Sequence, residues 1–421
     1  MREEIKERAK RLAEVPLCDA CFGRRFAKIG YGMSNAERGR MLKGLLFLDA
    51  IFSGDIDTIR KLAKHYEPAR RFLKDKLRES IEAEKCSLCN GLLSDTFLSK
   101  LADKVAREVL EKEIEFFTFS IGSRGLDEYI KKEEELRSKY PTPRGESLKH
   151  EFNRSLAKRL AKILDKEPTI ENPDVVIIVS PEGLSEIVIN PVYIKGRYRK
   201  LKRGIYQARQ NRRLPEPAES VEELIGEVAK EFFKADDYKL HAAGREDVDV
   251  RMLGSGRPFV LELVRPRKRR VDLKELEKAI NERNKGKIEV TLEGYATRKD
   301  VRELKEKRHK KLYYAIVRVP GGYTEEDLKK VLELKGKIIE QRTPLRVAHR
   351  RADRVRRRKV YDISVEPIDE ERFGMRILAD GGLYIKELIH GDKGRTRPSV
   401  AEILGKEAIC ESLDVLEVID E

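Results

Sequence analysis

The sequence has no tryptophan, and only five methionines and five cysteines among 421 residues. It has no apolar run approaching the ~18 residues that span a bilayer, which excludes a helical membrane protein. Met1 to Arg11 is charged throughout and lacks the apolar stretch of a signal peptide, so a cytoplasmic location is expected. Five cysteines are too few for a disulfide scaffold, and a reducing cytosol disfavours disulfides. Internal repeats and low-complexity tails are also lacking. Scarce Met and Cys beside abundant Glu, Lys and Arg suit a heat-adapted protein.

What is abundant is charge. Charged residues make up 39% of the chain and hydrophobic residues 40%, enough for real cores. Lys and Arg number 90 against 75 Asp and Glu, for a formal net charge of +15. That excess points to a polyanion, with RNA, DNA and anionic membrane as candidates.

The length argues for two or three domains. Residues 1–91 read as a helical module, with Ser34 to Glu37 as a capping box opening a helix over Arg38 to Phe52. A second helical run over Ile56 to Leu77 should break near Pro68. Residues 92–210 read as a mixed segment. It has helices over Phe97 to Lys112 and Ser147 to Leu164, and strands over Glu115 to Ile121, Val175 to Ser180 and Ile187 to Ile194. A polar, Pro-bearing linker over Pro215 to Ser220 marks the main boundary. Residues 211–421 mix strands and helices without a regular βαβ beat. The expected fold class is therefore α+β, with a mixed or antiparallel sheet flanked by helices in the last domain.

Cys18-x2-Cys21 and Cys86-x2-Cys89 are two CxxC knuckles, each able to present two thiolates to one tetrahedral zinc. The stretch between them is too long for a compact zinc ribbon, so the metal would clip the ends of an inserted helical layer. No open coordination position is implied, which makes the zinc structural. The bland alternative is four small core residues. A redox CxxC is disfavoured because no thioredoxin-like βαβ unit surrounds it. Cys410 is left over as a core residue.

Tyr193 to Arg209 interleaves aromatic and basic residues. Arg197, Arg199, Lys200, Lys202 and Arg203 are candidates for neutralising phosphates, with the tyrosines able to stack on bases. Further basic clusters occupy Arg265 to Arg270 and Arg342 to Lys359. A charge run is usually a solvated face, but three clusters of one sign, rich in Arg, favour RNA.

The stretch Gly244-Arg245-Glu246-Asp247-Val248-Asp249-Val250-Arg251-Met252-Leu253-Gly254 gathers carboxylates and arginines into a short loop before a strand. By chemistry alone its aspartates could be metal ligands, a nucleophile with a helper, or partners in loop salt bridges. Gly254-Ser255-Gly256 is no phosphate loop, because no helix or third glycine follows.

This stretch, with Gly256-Arg257-Pro258-Phe259, closely resembles the active-site motif of the tenth pseudouridine synthase family, which acts on tRNA. Lys311-Leu312-Tyr313-Tyr314-Ala315 resembles the Lys-x-Tyr-x-Ala motif of pseudouridine synthases, and Gly382 to Asp392 resembles the family's C-terminal motif. Arg197 to Leu201 and both CxxC knuckles also match, and the segment around Pro173 to Val179 is similar to a THUMP RNA-binding domain. One local departure is Tyr206-Gln207-Ala208-Arg209-Gln210, where relatives carry Thr and Trp.

The resemblance implies Asp247 as nucleophile, attacking either uracil C6 or ribose C1′. It implies Lys386 paired with Asp247, Tyr313 stacked on the uracil, Tyr384 in the same pocket, Leu388 as an apolar wall and Arg245 against RNA. Asp249 and Glu246 are expected to fix the loop through ion pairs with Arg251 or neighbours. The reaction is an isomerisation and needs no catalytic cofactor. The implied partner is tRNA, gripped at its TΨC arm and modified at positions 54 and 55. No membrane and no obligatory protein partner is expected. The alternative is a non-catalytic tRNA-binding or processing protein. A THUMP-bearing methyltransferase or sulfur-transfer enzyme would need a dinucleotide-type glycine loop or a P-loop, and neither is found.

Overall fold

A computed structural model describes residues 3–420 apart from 28, 142–144, 210–218, 308 and 351. The expected linker prolines, Pro215 and Pro217, lie outside the described residues. The chain divides into two compact units, Met1–Asn190 and Pro191–Glu421. Among the described residues no helix is long and apolar enough to cross a membrane.

The first unit begins with a helical layer. Ser34 and Glu37 form the expected capping box at the head of helix Asn35–Ser53. Helices Ile56–Ala63 and Glu67–Phe72 follow, separated just before Pro68, where the missing amide N–H is tolerated at a helix start. Short helix Asp19–Gly23 crosses Asn35–Ser53 at a pair of glycines. A Cβ at Gly39 would overlap the Asp19 carbonyl, and one at Gly23 the Asn35 carbonyl. A four-stranded sheet lies later in the unit, ordered Glu167–Pro168, Thr118–Ser123, Val175–Ser180 and Gly183–Ile189. Its first three strands are parallel and its last antiparallel. Helices Asp95–Leu110 and Leu148–Leu164 contribute buried Leu101, Val105, Phe152 and Leu160 to the same core as Leu17, Phe22 and Leu62 of the helical layer. Residues 1–91 and the segment after them therefore share one continuous apolar cluster.

The second unit is built on a ten-stranded sheet. Its central strand, His309–Arg318, is antiparallel to Arg372–Asp380 on one side and Ile409–Asp420 on the other. Ile409–Asp420 in turn runs parallel to Arg251–Val264, the one parallel strand pair of this sheet among the described residues. The architecture is thus α+β with a mixed sheet, as the irregular alternation of elements implies.

One expectation is corrected here. The strand read over Ile187 to Ile194 is two strands in two different sheets, Gly183–Ile189 and Val192–Lys200. Pro191 has no amide hydrogen to continue a ladder, and the chain passes between units at that point. Val192–Lys200 pairs with Arg251–Val264 and Ile288–Ala296, so the segment up to residue 210 does not all belong with the four-stranded sheet. The break between units falls at 190/191 rather than near residue 210.

Candidate active site and candidate metal centre

Asp247 sits on a loop between strands Asp237–Ala242 and Arg251–Val264. Buried cations fix the carbonyls of that loop. Arg257 Nη1 donates to Ala243 O at 2.6 Å, and Lys200 Nζ donates to Asp247 O and Ile205 O at 2.9 Å each. Arg203 Nη1 donates to Asp249 O at 2.6 Å, and Gln207 Nε2 to Gly244 O at 2.9 Å. Beneath them, Glu246 accepts from the Tyr198 hydroxyl at 2.9 Å and pairs with Arg257 at 2.8 Å. Buried polar groups held by such partners favour one conformation, because leaving one unpaired is costly. The loop is therefore held through its main chain, which leaves the Asp247 carboxylate free to face outward.

That carboxylate has two cationic neighbours. Arg346 Nη1 lies 3.0 Å from Asp247 Oδ2, whereas Lys386 Nζ is 3.7 Å from the same oxygen. Lys386 instead bonds both oxygens of Asp249, at 2.8 and 2.7 Å. Arg346 is oriented from behind by the buried Glu387, 2.6 Å from its Nε. Burial opposes the charge of Arg346, but Glu387 and Asp247 outweigh it and raise its pKa. Burial also works against ionised Asp249, and its bonds to Lys386 more than compensate, leaving its pKa lowered. Arg251 does not hold Asp249 or Glu246 as expected. It pairs with Asp414 at 2.6 Å, the residue its strand register sets opposite it.

Asp247 opens onto a cavity of about 200 Å³. The sheet register places Tyr313 opposite Val415, and Val415 opposite Met252, so three strands converge under the loop. Tyr313, Tyr384, Lys386 and Arg245 all line the cavity, together with Arg346 and Lys311. Tyr313 is 7% exposed, and burial pushes its phenol up to about 12, so it stays protonated at neutral pH. Tyr384 is fixed by reciprocal 2.9 Å bonds between its backbone and the buried Gln341 side chain. The Arg346 guanidinium lies 5.8 Å from the Tyr384 ring centre. The apolar wall comes from Val250, Leu383, Ile385, Leu413 and Val415. Leu388 is not part of it: its side chain is fully buried in the core of the unit.

The basic stretch 197–203 also divides differently from its sequence reading. Lys200 is fully buried against loop carbonyls, and burial lowers its pKa to about 8. Arg203 bonds Leu413 O and the Asp414 carboxylate, so it too is internal scaffolding. Alternation along strand Val192–Lys200 turns Lys200 inward and Arg199 outward, where Arg199 pairs with Glu289. Lys202 is exposed, and Arg197 is half-buried with a 3.1 Å bond to Gly256 O. Gln207, at the position that departs from the motif, is an internal strut bonded to Tyr198 and Gly244.

In the first unit the sulfurs of Cys18, Cys21, Cys86 and Cys89 all lie within 4.8 Å of one another. Cys18 Sγ and Cys89 Sγ are 3.7 Å apart. Zinc–thiolate bonds of ~2.3 Å in a tetrahedron put sulfurs about 3.8 Å apart, so the four thiols fit one metal ion. The knuckles are joined by Ser87 N donating to Pro16 O at 2.9 Å, and Cys18 caps helix Asp19–Gly23. Cys410 lies apart, packed against the core of the second unit.

Sequence reasoning missed Arg346 as a neighbour of Asp247, having grouped it with a phosphate-binding cluster. It also gave no role to Lys311. The one available signal was Lys311-x-Tyr313 in a strand, which places both side chains on the same buried face.

The chain matches known proteins along nearly its whole length. The family model described as Pus10, C-terminal, matches residues 193–419, and the archaeal Pus10 THUMP domain matches residues 101–180. A tRNA pseudouridine synthase Pus10 of Pyrococcus furiosus is 46% identical over 99% of this chain and 98% of its own length. That of Methanopyrus kandleri is 41% identical over 100% and 99%, and that of Methanocaldococcus jannaschii 43% identical over 97% and 93%.

Proposed function

From the premise that this chain belongs to the Pus10 family of tRNA pseudouridine synthases, and is an isomerase, we propose that it converts the uridines at positions 54 and 55 of the tRNA TΨC loop to pseudouridine. The supporting observation is the Asp247 carboxylate facing the cavity that Tyr313 and Tyr384 line, with Arg346 3.0 Å from its oxygen.

Asp247 is the nucleophile. Arg346 keeps it ionised and points it into the cavity, and Lys386 adds positive potential while tying Asp249 to the same loop. Attack at uracil C6 or at ribose C1′ breaks the N-glycosidic bond. The base then turns, C5 bonds to C1′, the bond to Asp247 breaks and returns its carboxylate, C5 loses its proton, and N1 gains one. Atoms and charge balance without a cofactor. Tyr313 stacks on the base and, being protonated, donates a hydrogen bond. Tyr384 and the aliphatic wall confine the base while it turns, and Arg245 at the mouth contacts RNA. The target must leave its loop, at a cost of roughly a few kcal/mol, offset by tRNA contacts elsewhere. Exposed Arg199 and Lys202 and half-buried Arg197 contribute those contacts, and the THUMP segment binds the same tRNA. Cys18, Cys21, Cys86 and Cys89 hold a structural zinc. The enzyme works in the cytoplasm.

The test is incubation of purified protein with an unmodified tRNA transcript and no added cofactor, followed by nucleotide-resolution mapping of pseudouridine. New pseudouridine at positions 54 and 55 supports the reading. Tight tRNA binding without any pseudouridine would favour a binding or processing protein.

A further inference from the structure

A second cavity, of about 440 Å³, lies next to the one that Asp247 faces, and the two share the Lys311 side chain. Lys311 is 7% exposed on the inward face of strand His309–Arg318, and its ammonium has no hydrogen-bond or ion-pair partner among the described residues. The carboxylate that acts on it electrostatically, Glu246, is already held by Arg257 and Tyr198. Two glycines make room for cationic heads in this cavity. A Cβ at Gly244 (φ +84°) would sit 2.8 Å from Lys311 Nζ, and one at Gly382 (φ +90°) would sit 3.4 Å from Arg358 Nε. Arg358 anchors its Nε on Gly381 O at 3.0 Å and Nη1 on Arg357 O at 2.8 Å, with Nη2 facing Gly382. Lys305 and Lys307 stand exposed at the mouth. Of the two acids in the lining, Asp380 is engaged by Tyr361 and by the Lys359 amide, and Glu306 is exposed.

A buried ammonium without a partner is costly, and a lining with this excess of cations suits an anion of the substrate. We propose that this second cavity is a subsite for one phosphodiester of the RNA strand adjoining the target nucleotide, bound between Lys311 and Arg358. The assignment rests on the reading that the first cavity takes the target base. Because Lys311 borders both cavities, phosphate binding there sets the depth to which the base enters beside Asp247. Burial pushes free Lys311 down to about 7, and an adjacent phosphate restores its charged form.

The experiment uses the intact protein and tRNA transcripts in which single phosphates around the target uridine are replaced by neutral methylphosphonate. Single-turnover kcat/KM is measured for wild type, Arg358→Lys and Arg358→Gln. One flanking methylphosphonate should lower the wild-type value about tenfold or more. Arg358→Gln should lower it similarly on native RNA, with Arg358→Lys between. Combining that methylphosphonate with Arg358→Gln should cost little beyond either change alone. Strictly multiplicative losses, or a wild type indifferent to every flanking phosphate, would overturn the subsite. Absence of pseudouridine from wild type on native RNA would overturn the underlying reading instead.

Discussion

The thiol cluster of the first unit and the carboxylate cavity of the second are assembled in opposite ways. The thiols come from two Cys-x2-Cys knuckles, so residue type and local spacing are enough to announce them. The cavity draws on residues 245–257, 311–313, 346, 383–386 and 413–415, joined by strand register and by helical segments packed beside the sheet. In the first case the short motif is the whole centre. In the second each motif supplies only part of the lining, and what brings the parts together is long-range pairing. A local motif therefore identifies chemistry, whereas long-range pairing decides which cation attends it.

The largest expected effect tests the metal side of that contrast. Zinc contributes on the order of 10 kcal/mol to small zinc modules. Chelation, or Cys86→Ser, should therefore unfold the helical layer around residues 18–89 and leave the second unit's transition in place. Calorimetry with metal analysis of the purified protein checks this. Unchanged melting with no zinc present would remove the metal from the account.

The next effect distinguishes the nearer cation from the one the motif suggested. Arg346→Met should lower the single-turnover rate on the order of 100-fold, because it removes the closest charge to Asp247 and strips Glu387 of its partner. Lys386→Met should cost less, about tenfold, because its shorter bonds go to Asp249. Equal losses, or the reverse order, would mean that substrate binding rearranges the pair.

A smaller effect separates internal from external cations on the 197–203 stretch. Lys200→Met should lower the stability of the second unit by about 2 kcal/mol, since three loop carbonyls lose their donor. Its sign can be checked by pH. With a folded pKa of about 8 against an ordinary lysine value of 10.5, the folded state binds fewer protons than the unfolded one across that interval. Wild-type stability relative to Lys200→Met should therefore rise between pH 8 and 10.5, which denaturant melts at several pH values would detect.

Arg199→Gln and Lys202→Gln should leave melting unchanged and each reduce the salt-dependence slope of tRNA binding by about 1. A flat salt series for wild type would sink the electrostatic account.

The same contrast explains how much could be read from the chain. Strand Val175–Ser180 and the capped helices matched because hydrophobic period and capping chemistry are local. Asp247, Tyr313, Tyr384, Lys386 and Arg245 were found through motifs, and all line the cavity. Lys200 and Arg203 were misread because a basic run looks alike whether it faces solvent or loop carbonyls. The pleat of strand Val192–Lys200 sorts Lys200, and the long-range contact to Asp414 sorts Arg203. Leu388 was placed in the wall on the strength of its motif, while its neighbours Leu383 and Ile385 occupy that position. Arg346 was out of reach because its contact to Asp247 spans 99 residues of chain.

The most direct test of the central claim is Asp247→Asn, assayed beside wild type by single-turnover mapping of pseudouridine in unmodified tRNA, with tRNA affinity measured in parallel. The substitution keeps size and removes the charge that Arg346 attends. The account predicts a loss on the order of 10⁴-fold or more in rate, with affinity nearly unchanged. Pseudouridine formed at a rate within tenfold of wild type would show that the nucleophile is another residue.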